Sequence, residues 1–139
     1  AETAPLRSRL RNGASVLLVD TVGELKGMYQ AADAAFVGGS LIPHGGQNPM
    51  EPCGLGVPVL HGPHMHNFND ALEILHGCDG SVEVTRETLA AALEKLLRGP
   101  AAARAMAARA REAFLTKQGA TAKAATYVRT LLTGEAPAK

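Results

Sequence analysis

The segment from Gly38 to Phe68, GGSLIPHGGQNPMEPCGLGVPVLHGPHMHNF, gathers the residues of this chain best suited to hold a ligand. Two glycine pairs, Gly38-Gly39 and Gly45-Gly46, bracket a polar loop that runs into Asn48-Pro49-Met50-Glu51. Glycine lets a backbone come close to a phosphate, and a helix start offers oriented N–H groups. Glu51 adds a carboxylate, which accepts two hydrogens at once and so suits the diol of a ribose. Together these fit a phosphorylated ligand with a sugar attached. Each feature also has a plainer explanation. Glu51 stands where a capping-box acid serves its own helix, and spacing alone leaves the two roles even. The dense glycines before it favour ligand contact. Gly45-Gly46 equally marks a tight turn, and Gly38-Gly39-Ser40 close packing against a neighbouring helix. The loop is not a Walker motif, since no Lys-Ser or Lys-Thr follows.

Five histidines, His44, His61, His64, His66 and His76, raise the question of a metal. The run HGPHMH could ligate zinc. No acid or cysteine sits at a familiar offset, however, and Gly62-Pro63 breaks any helical register. Loop histidines near an anionic ligand are the favoured reading, with His64 among the ligand contacts; no metal and no cofactor is expected. Arg104, Arg109, Arg111 and Lys117 scatter around one Ala-rich helix and read as a solvated face, not a nucleic-acid surface. No Ser-His-Asp or Cys-His arrangement has local support.

The elements that must position these residues follow from hydrophobic pattern. Val16 to Val19 is a continuous apolar run, read as a buried parallel strand. Leu25, Met28, Tyr29 and Ala32 repeat at helical spacing, with Thr21 as N-cap and Glu24 at the positive end. Ala34 to Val37 is the next strand. Asn48 caps a short helix to Leu55, with Pro49 in its first turn, Glu51 at N3 and Gly56 as its stop. Val57 to Leu60 is a strand, Asn69 to His76 a helix stopped by Gly77, and Ser81 to Val84 a strand. Thr85 caps a helix bearing Leu89, Leu93, Leu96 and Leu97. Gly99-Pro100 separates it from the Ala-rich helix, which ends near Gly119, and a last helix carries Ala124, Tyr127, Val128 and Leu131. This alternation predicts an α/β fold: a Rossmann-like parallel sheet with flanking helices and a helical C-terminus. Ligands of such sheets bind beyond the carboxyl ends of the strands. The segments there are Asp20-Thr21, Gly38-Gly39-Ser40 and His61-Gly62-Pro63, so the unusual residues fall on one edge.

Composition sets the bounds. The 139 residues make one domain, with residues 1–14 read as a flexible lead-in and 134–139 as a frayed tail. A net charge of +1 gives no global argument for nucleic acid. Aromatics are only 4%, which leaves few anchors for stacking bases. Cys53 and Cys78 match no metal or redox spacing and read as reduced thiols in a cytosolic compartment. No apolar run approaches the roughly 20 residues of a membrane span, so the chain reads as soluble.

Four motifs in order, DTVGEL (Asp20 to Leu25), FVGGS (Phe36 to Ser40), GGQNPMEP (Gly45 to Pro52) and VPVLHGPHMHNF (Val57 to Phe68), resemble the C-terminal domain of 3-deoxy-D-manno-octulosonic acid (Kdo) transferases. Those are lipopolysaccharide enzymes of Gram-negative bacteria. The resemblance runs from about Val16 to the last helix. It implies the C-terminal half of a GT-B glycosyltransferase. CMP-Kdo would be the donor and lipid A precursor the acceptor, in an inverting, metal-free transfer at the cytoplasmic face of the inner membrane. It places Gly39 and Ser40 near the nucleotide, Asn48 and Glu51 on the donor with Glu51 at the ribose, and Thr21, Gly23 and Glu24 along the same edge. Asn67 and Phe68 would lie near the sugar. The family's general base lies in an N-terminal domain that these residues do not include, so no catalytic residue is assigned here and this stretch alone is expected to be inactive. Contact with a membrane surface is likewise assigned to that domain. The Val16 to Val19 strand is expected to leave an uncovered edge, a route to homo-oligomers. Two other classes fit the same residues: a GT-B enzyme using a UDP- or ADP-sugar, and a nucleotide-binding module without chemistry of its own.

Overall fold

The computed structural model describes residues 7–9, 15–117, 127 and 130. Two short strands open the chain, β1 (Arg7–Arg9) and β2 (Ser15–Leu17). Helix α1 (Leu25–Gln30), strand β3 (Ala35–Phe36), helix α2 (Met50–Gly54) and strand β4 (Val59–His61) follow. A 3-10 turn (His66–Phe68) leads into α3 (Asn69–Gly77), then β5 (Ser81–Glu83), α4 (Leu89–Arg98) and α5 (Pro100–Lys117). Strands β3, β4 and β5 form a parallel sheet in that order, with Ala35 opposite Val59 and Leu60 opposite Val82. The α/β architecture expected from the alternation of elements is therefore present. The lead-in, the tail and most of the expected last helix fall outside the described residues; Tyr127 and Thr130 are helical.

The central strand β4 is buried along its whole length, and Val59, Leu60 and His61 are each 0% exposed. Around it lies a core of Val37, Cys53, Val59, Met65, Leu75 and Ala110, with Phe68 and Leu72 packed against it. Fully burying a side chain such as Leu75 contributes about 1.5–3 kcal/mol. Helix α5 reaches this core through Ala103, Met106, Ala107 and Ala110, which share one face and are all buried. Small side chains at that spacing let the helix axis come close to its neighbours.

The first strand departs from expectation. Val16 lies in β2, which pairs antiparallel with β1, Ser8 opposite Val16, and has no place in the parallel sheet. Val16, Leu18 and Val19 are exposed at 44%, 63% and 38%. An apolar run specifies a strand but not its partner. The Asn12-Gly13 pair is a strong hairpin signal that offers a nearby antiparallel one. The outer strand of the parallel sheet is instead β3, whose Phe36 is 39% exposed.

Helix ends show smaller corrections. Thr21 does not cap α1: the chain turns at Gly23 (φ +96), the helix starts after Glu24, and the Thr21 hydroxyl donates to the Glu24 carboxylate. Gly56 does stop α2, at φ +77, with its N–H on the Cys53 carbonyl (2.9 Å) and that of Val57 on Pro52 (3.0 Å), a Schellman close. Helix α3 runs through Gly77 and closes in the same way at Asp79 (φ +47), with the Gly80 N–H on Leu75 (2.8 Å). Aspartate tolerates that left-handed conformation better than most residues. The α5 arginines are not simply solvated. Arg109 donates to the carbonyls of Cys78 (2.8 Å) and Asp79 (2.7 Å), and Arg111 to that of Gly54 (3.2 Å). Cations at helix C-termini meet both the unpaired carbonyls and the negative end of the dipole. Thr88 rather than Thr85 precedes α4, and the Thr85 N–H is held by the Thr88 hydroxyl (2.8 Å). Leu89 and Leu96 of that helix are half-buried, while Leu93 and Leu97 stay exposed.

Candidate functional site

The loops after β3 and β4 leave the same end of two adjacent parallel strands, which forces residues 38–48 and 62–67 together. Ser40 ties them. Its hydroxyl donates to the Val37 carbonyl (2.5 Å) and accepts from the Gly62 N–H (2.8 Å), while its carbonyl accepts from the His64 N–H (2.9 Å). Ser40 is 0% exposed, so its hydroxyl is spent inside the fold. A second tie lies farther out. The Asn67 N–H donates to the Gly45 carbonyl (3.3 Å), and its side-chain amide to that of His44 (3.4 Å).

The glycines of this loop have a steric reason within the chain. Gly45 and Gly46 are buried and adopt φ of +100 and +74. A Cβ on Gly45 would stand 2.2 Å from Asn67 Nδ2, and one on Gly46 2.2 Å from Met65 Sδ. Gly39, at φ +71, faces the His44 ring in the same way. Of the two explanations open from sequence, tight turn and close packing account for these positions.

Asn48 and Glu51 stand at the exit of that loop and line one cavity of about 370 Å³. The Asn48 side-chain oxygen accepts from the Met50 N–H (3.0 Å), and its amide points to Glu51 Oε1 (3.4 Å). Asn48 thus caps the first turn as expected, although α2 itself begins after Pro49 and has only five residues. A helix of that length gathers little dipole. The carboxylate, not the helix end, is the main charge here.

The opposite walls come from residues that sequence analysis did not single out. Lys26 and Tyr29 face the cavity from α1, Gly54 and Leu55 from the end of α2, and Phe114 from α5. Tyr29 appeared in the sequence only as part of an apolar helix face. Phe114 is the single aromatic in an Ala-rich helix, a faint signal at most. Burial, and then the negative charge of Glu51, push the Tyr29 hydroxyl above its ordinary value, so it remains protonated and a donor.

The other expected contacts spread more widely. Thr21, Gly23 and Glu24 are exposed ahead of α1, and none of them lines the cavity. His64 is half-buried and Asn67 exposed beside the glycine loop. Phe68 packs against the core. His61 is not a loop residue: it lies in β4, fully buried, with Nδ1 2.9 Å from the Gly62 carbonyl and Nε2 3.2 Å from the Ser81 hydroxyl. Among the described residues no group of three or more His, Cys, Asp or Glu side chains is placed to hold a metal ion, and no helix is long and apolar enough to cross a membrane.

No family model matches the chain. Individual proteins do. It is 46% identical over 84 residues to the 3-deoxy-D-manno-octulosonic acid transferase of Haemophilus influenzae, covering 59% of this chain and 20% of that protein. With the enzyme of the same description from Bordetella pertussis it shares 45% identity over 108 residues, 76% of this chain and 25% of the relative. Among solved structures, the C-terminal CMP-Kdo binding domain of WaaA from Acinetobacter baumannii matches with a TM-score of 0.65 and 30% identity, over 68% of this chain and 50% of that one. The chain thus spans a fifth to a quarter of the length of these curated relatives. The resemblance carried by the four motifs holds: the chain is similar in sequence to Kdo transferases and in fold to the C-terminal domain of one of them.

Proposed function

We propose that this chain is the donor-binding part of a Kdo transferase and that the cavity beside α2 takes the nucleoside of CMP-Kdo. The observation that carries this is the meeting of Asn48 and Glu51 at one cavity, directly after the Gly45-Gly46 turn. The likeness to a CMP-Kdo binding domain supports the same ligand. Glu51 accepts hydrogens from the ribose diol, and Asn48 orients Glu51 while closing the first turn of α2. Gly39, Gly45, Gly46, His64 and Asn67 shape the neighbouring loops toward the sugar, with Ser40 and Phe68 holding those loops from within. Thr21, Gly23 and Glu24 form the outer margin.

The whole protein in this reading is a GT-B glycosyltransferase. It passes Kdo to lipid A precursor at the cytoplasmic face of the inner membrane, in lipopolysaccharide synthesis. The reaction is a direct displacement at the anomeric carbon: the acceptor oxygen forms the new bond, and the CMP phosphate leaves with the electron pair of the old one. Glu51 is engaged with the ribose, so the base that activates the acceptor belongs to another part of the protein. Self-association goes through the β3 edge where Phe36 is exposed; light scattering that shows only monomer removes that element.

Calorimetric titration of the 139-residue chain with CMP, UDP and ADP tests the donor assignment. CMP is expected to bind best, and Glu51→Ala to weaken it by about tenfold or more, the scale of a lost charged hydrogen bond. Absence of CMP binding, or equal affinity of the Glu51→Ala variant, overturns it.

A further inference from the structure

The cavity at Glu51 continues past the ribose position to a wall built from other elements. Its polar side holds Lys26, Tyr29, Asn48 and Glu51; its apolar side holds Leu55 and Phe114. A site of about 370 Å³ is at the small end of ligand pockets, room for a nucleoside rather than a whole nucleotide sugar. The division into a polar and an apolar side matches a nucleoside's own division into ribose and base.

The Phe114 ring is half-buried and rests on α2: a Cβ built on Gly54 would touch its Cε1 edge at 3.4 Å. Backbone on one side fixes the ring, and the rest of it lines the cavity. Aromatics held this way serve as stacking platforms for bases, in a chain otherwise poor in them. Tyr29 stands between the two sides as a protonated donor, and the edge of a pyrimidine offers carbonyl and ring-nitrogen acceptors. Lys26 supplies positive charge at the rim, suited to a phosphate.

We propose that Phe114, Leu55 and Tyr29 form the base slot of the donor site, Phe114 stacking on a pyrimidine and the Tyr29 hydroxyl donating to its polar edge. This rests on the donor-site reading above. None of the three belongs to the residues that the motifs pointed to as ligand contacts.

The test uses the full 139-residue chain with CMP as probe. Calorimetry is expected to show Phe114→Leu weakening CMP by about tenfold and Tyr29→Phe by about three- to tenfold. Nuclear Overhauser contacts between the Phe114 ring protons and cytosine H5 and H6 are expected in the wild-type complex. That measurement needs no variant to fold. If CMP binds and Glu51→Ala weakens it, but the contacts are missing or both aromatic variants bind as tightly as wild type, the base slot is wrong and the donor site stands. If CMP does not bind at all, both are overturned.

Discussion

Arg111 Nε donates to the Gly54 carbonyl at 3.2 Å, so α5 holds the carboxyl end of the helix that carries Glu51. Arg109, on the same helix, holds the end of α3 through two carbonyls. The walls of the candidate site are therefore registered by a helix remote from it in sequence.

Loss of this clamp has a measurable cost. Arg111→Met is expected to lower stability by about 1–2 kcal/mol, the range of a hydrogen bond with one charged partner at a partly exposed site. Arg104 bonds only to Pro100 within its own helix, and Arg104→Met should stay within about 0.5 kcal/mol of wild type. Urea denaturation of the two variants makes the comparison; equal losses would remove the clamp from the account.

Gly46 and Gly27 should respond in opposite directions to alanine. A Cβ on Gly46 meets Met65 Sδ at 2.2 Å and the backbone has φ +74, so Gly46→Ala is expected to cost about 2–4 kcal/mol from strain and overpacking. Gly27 sits inside α1 with nothing within 4 Å of its Cβ position, and Gly27→Ala should gain about 0.5–1 kcal/mol. Thermal melts of both variants read the signs directly.

Ser40→Ala leaves the Gly62 N–H without its acceptor in a fully buried place. An expected loss of about 1–3 kcal/mol follows from the stranded donor. Chemical denaturation gives the value, and a change below about 0.5 kcal/mol would show that the tie between the two loops is dispensable.

Alkaline stability should report on Cys53. Burial, and secondarily the Cys78 thiol, push its pKa from 9.0 up to about 12. The unfolded chain then releases this proton before the folded one does. The stabilisation is fully present below pH 9 and is lost between pH 9 and about 12, with a slope near 1.4 kcal/mol per pH unit. Cys53→Ala removes that contribution, so the difference between the two stability curves should narrow across this window. Parallel curves for the two proteins would contradict the assignment.

The sheet was legible because its signals are local. Apolar runs at 34–37, 57–60 and 81–84, each bounded by turn residues, correspond to β3, β4 and β5. Val16 to Val19 carries the same kind of signal, but strand pairing depends on what else is in reach, and no run of four residues encodes that. The glycines were legible as special, yet only coordinates tell whether a missing Cβ makes way for a ligand or for Asn67 and Met65. Asn48 and Glu51 were found because their spacing has a local meaning. Tyr29 and Phe114 were missed because a cavity wall assembled from three helices leaves no pattern in any one of them. Arg109 and Arg111 looked solvated because their acceptors lie 31 and 57 residues away.

The ties from Ser40 to Gly62 and His64, and from Gly45 to Asn67, make the two strand-end loops a single inherited part. Swapping residues 38–48 for the equivalent stretch of another transferase would orphan hydrogen-bond partners on the loop left behind. A chimera meant to change donor preference must therefore transplant both loops at once, and divergent lineages should alter them in step.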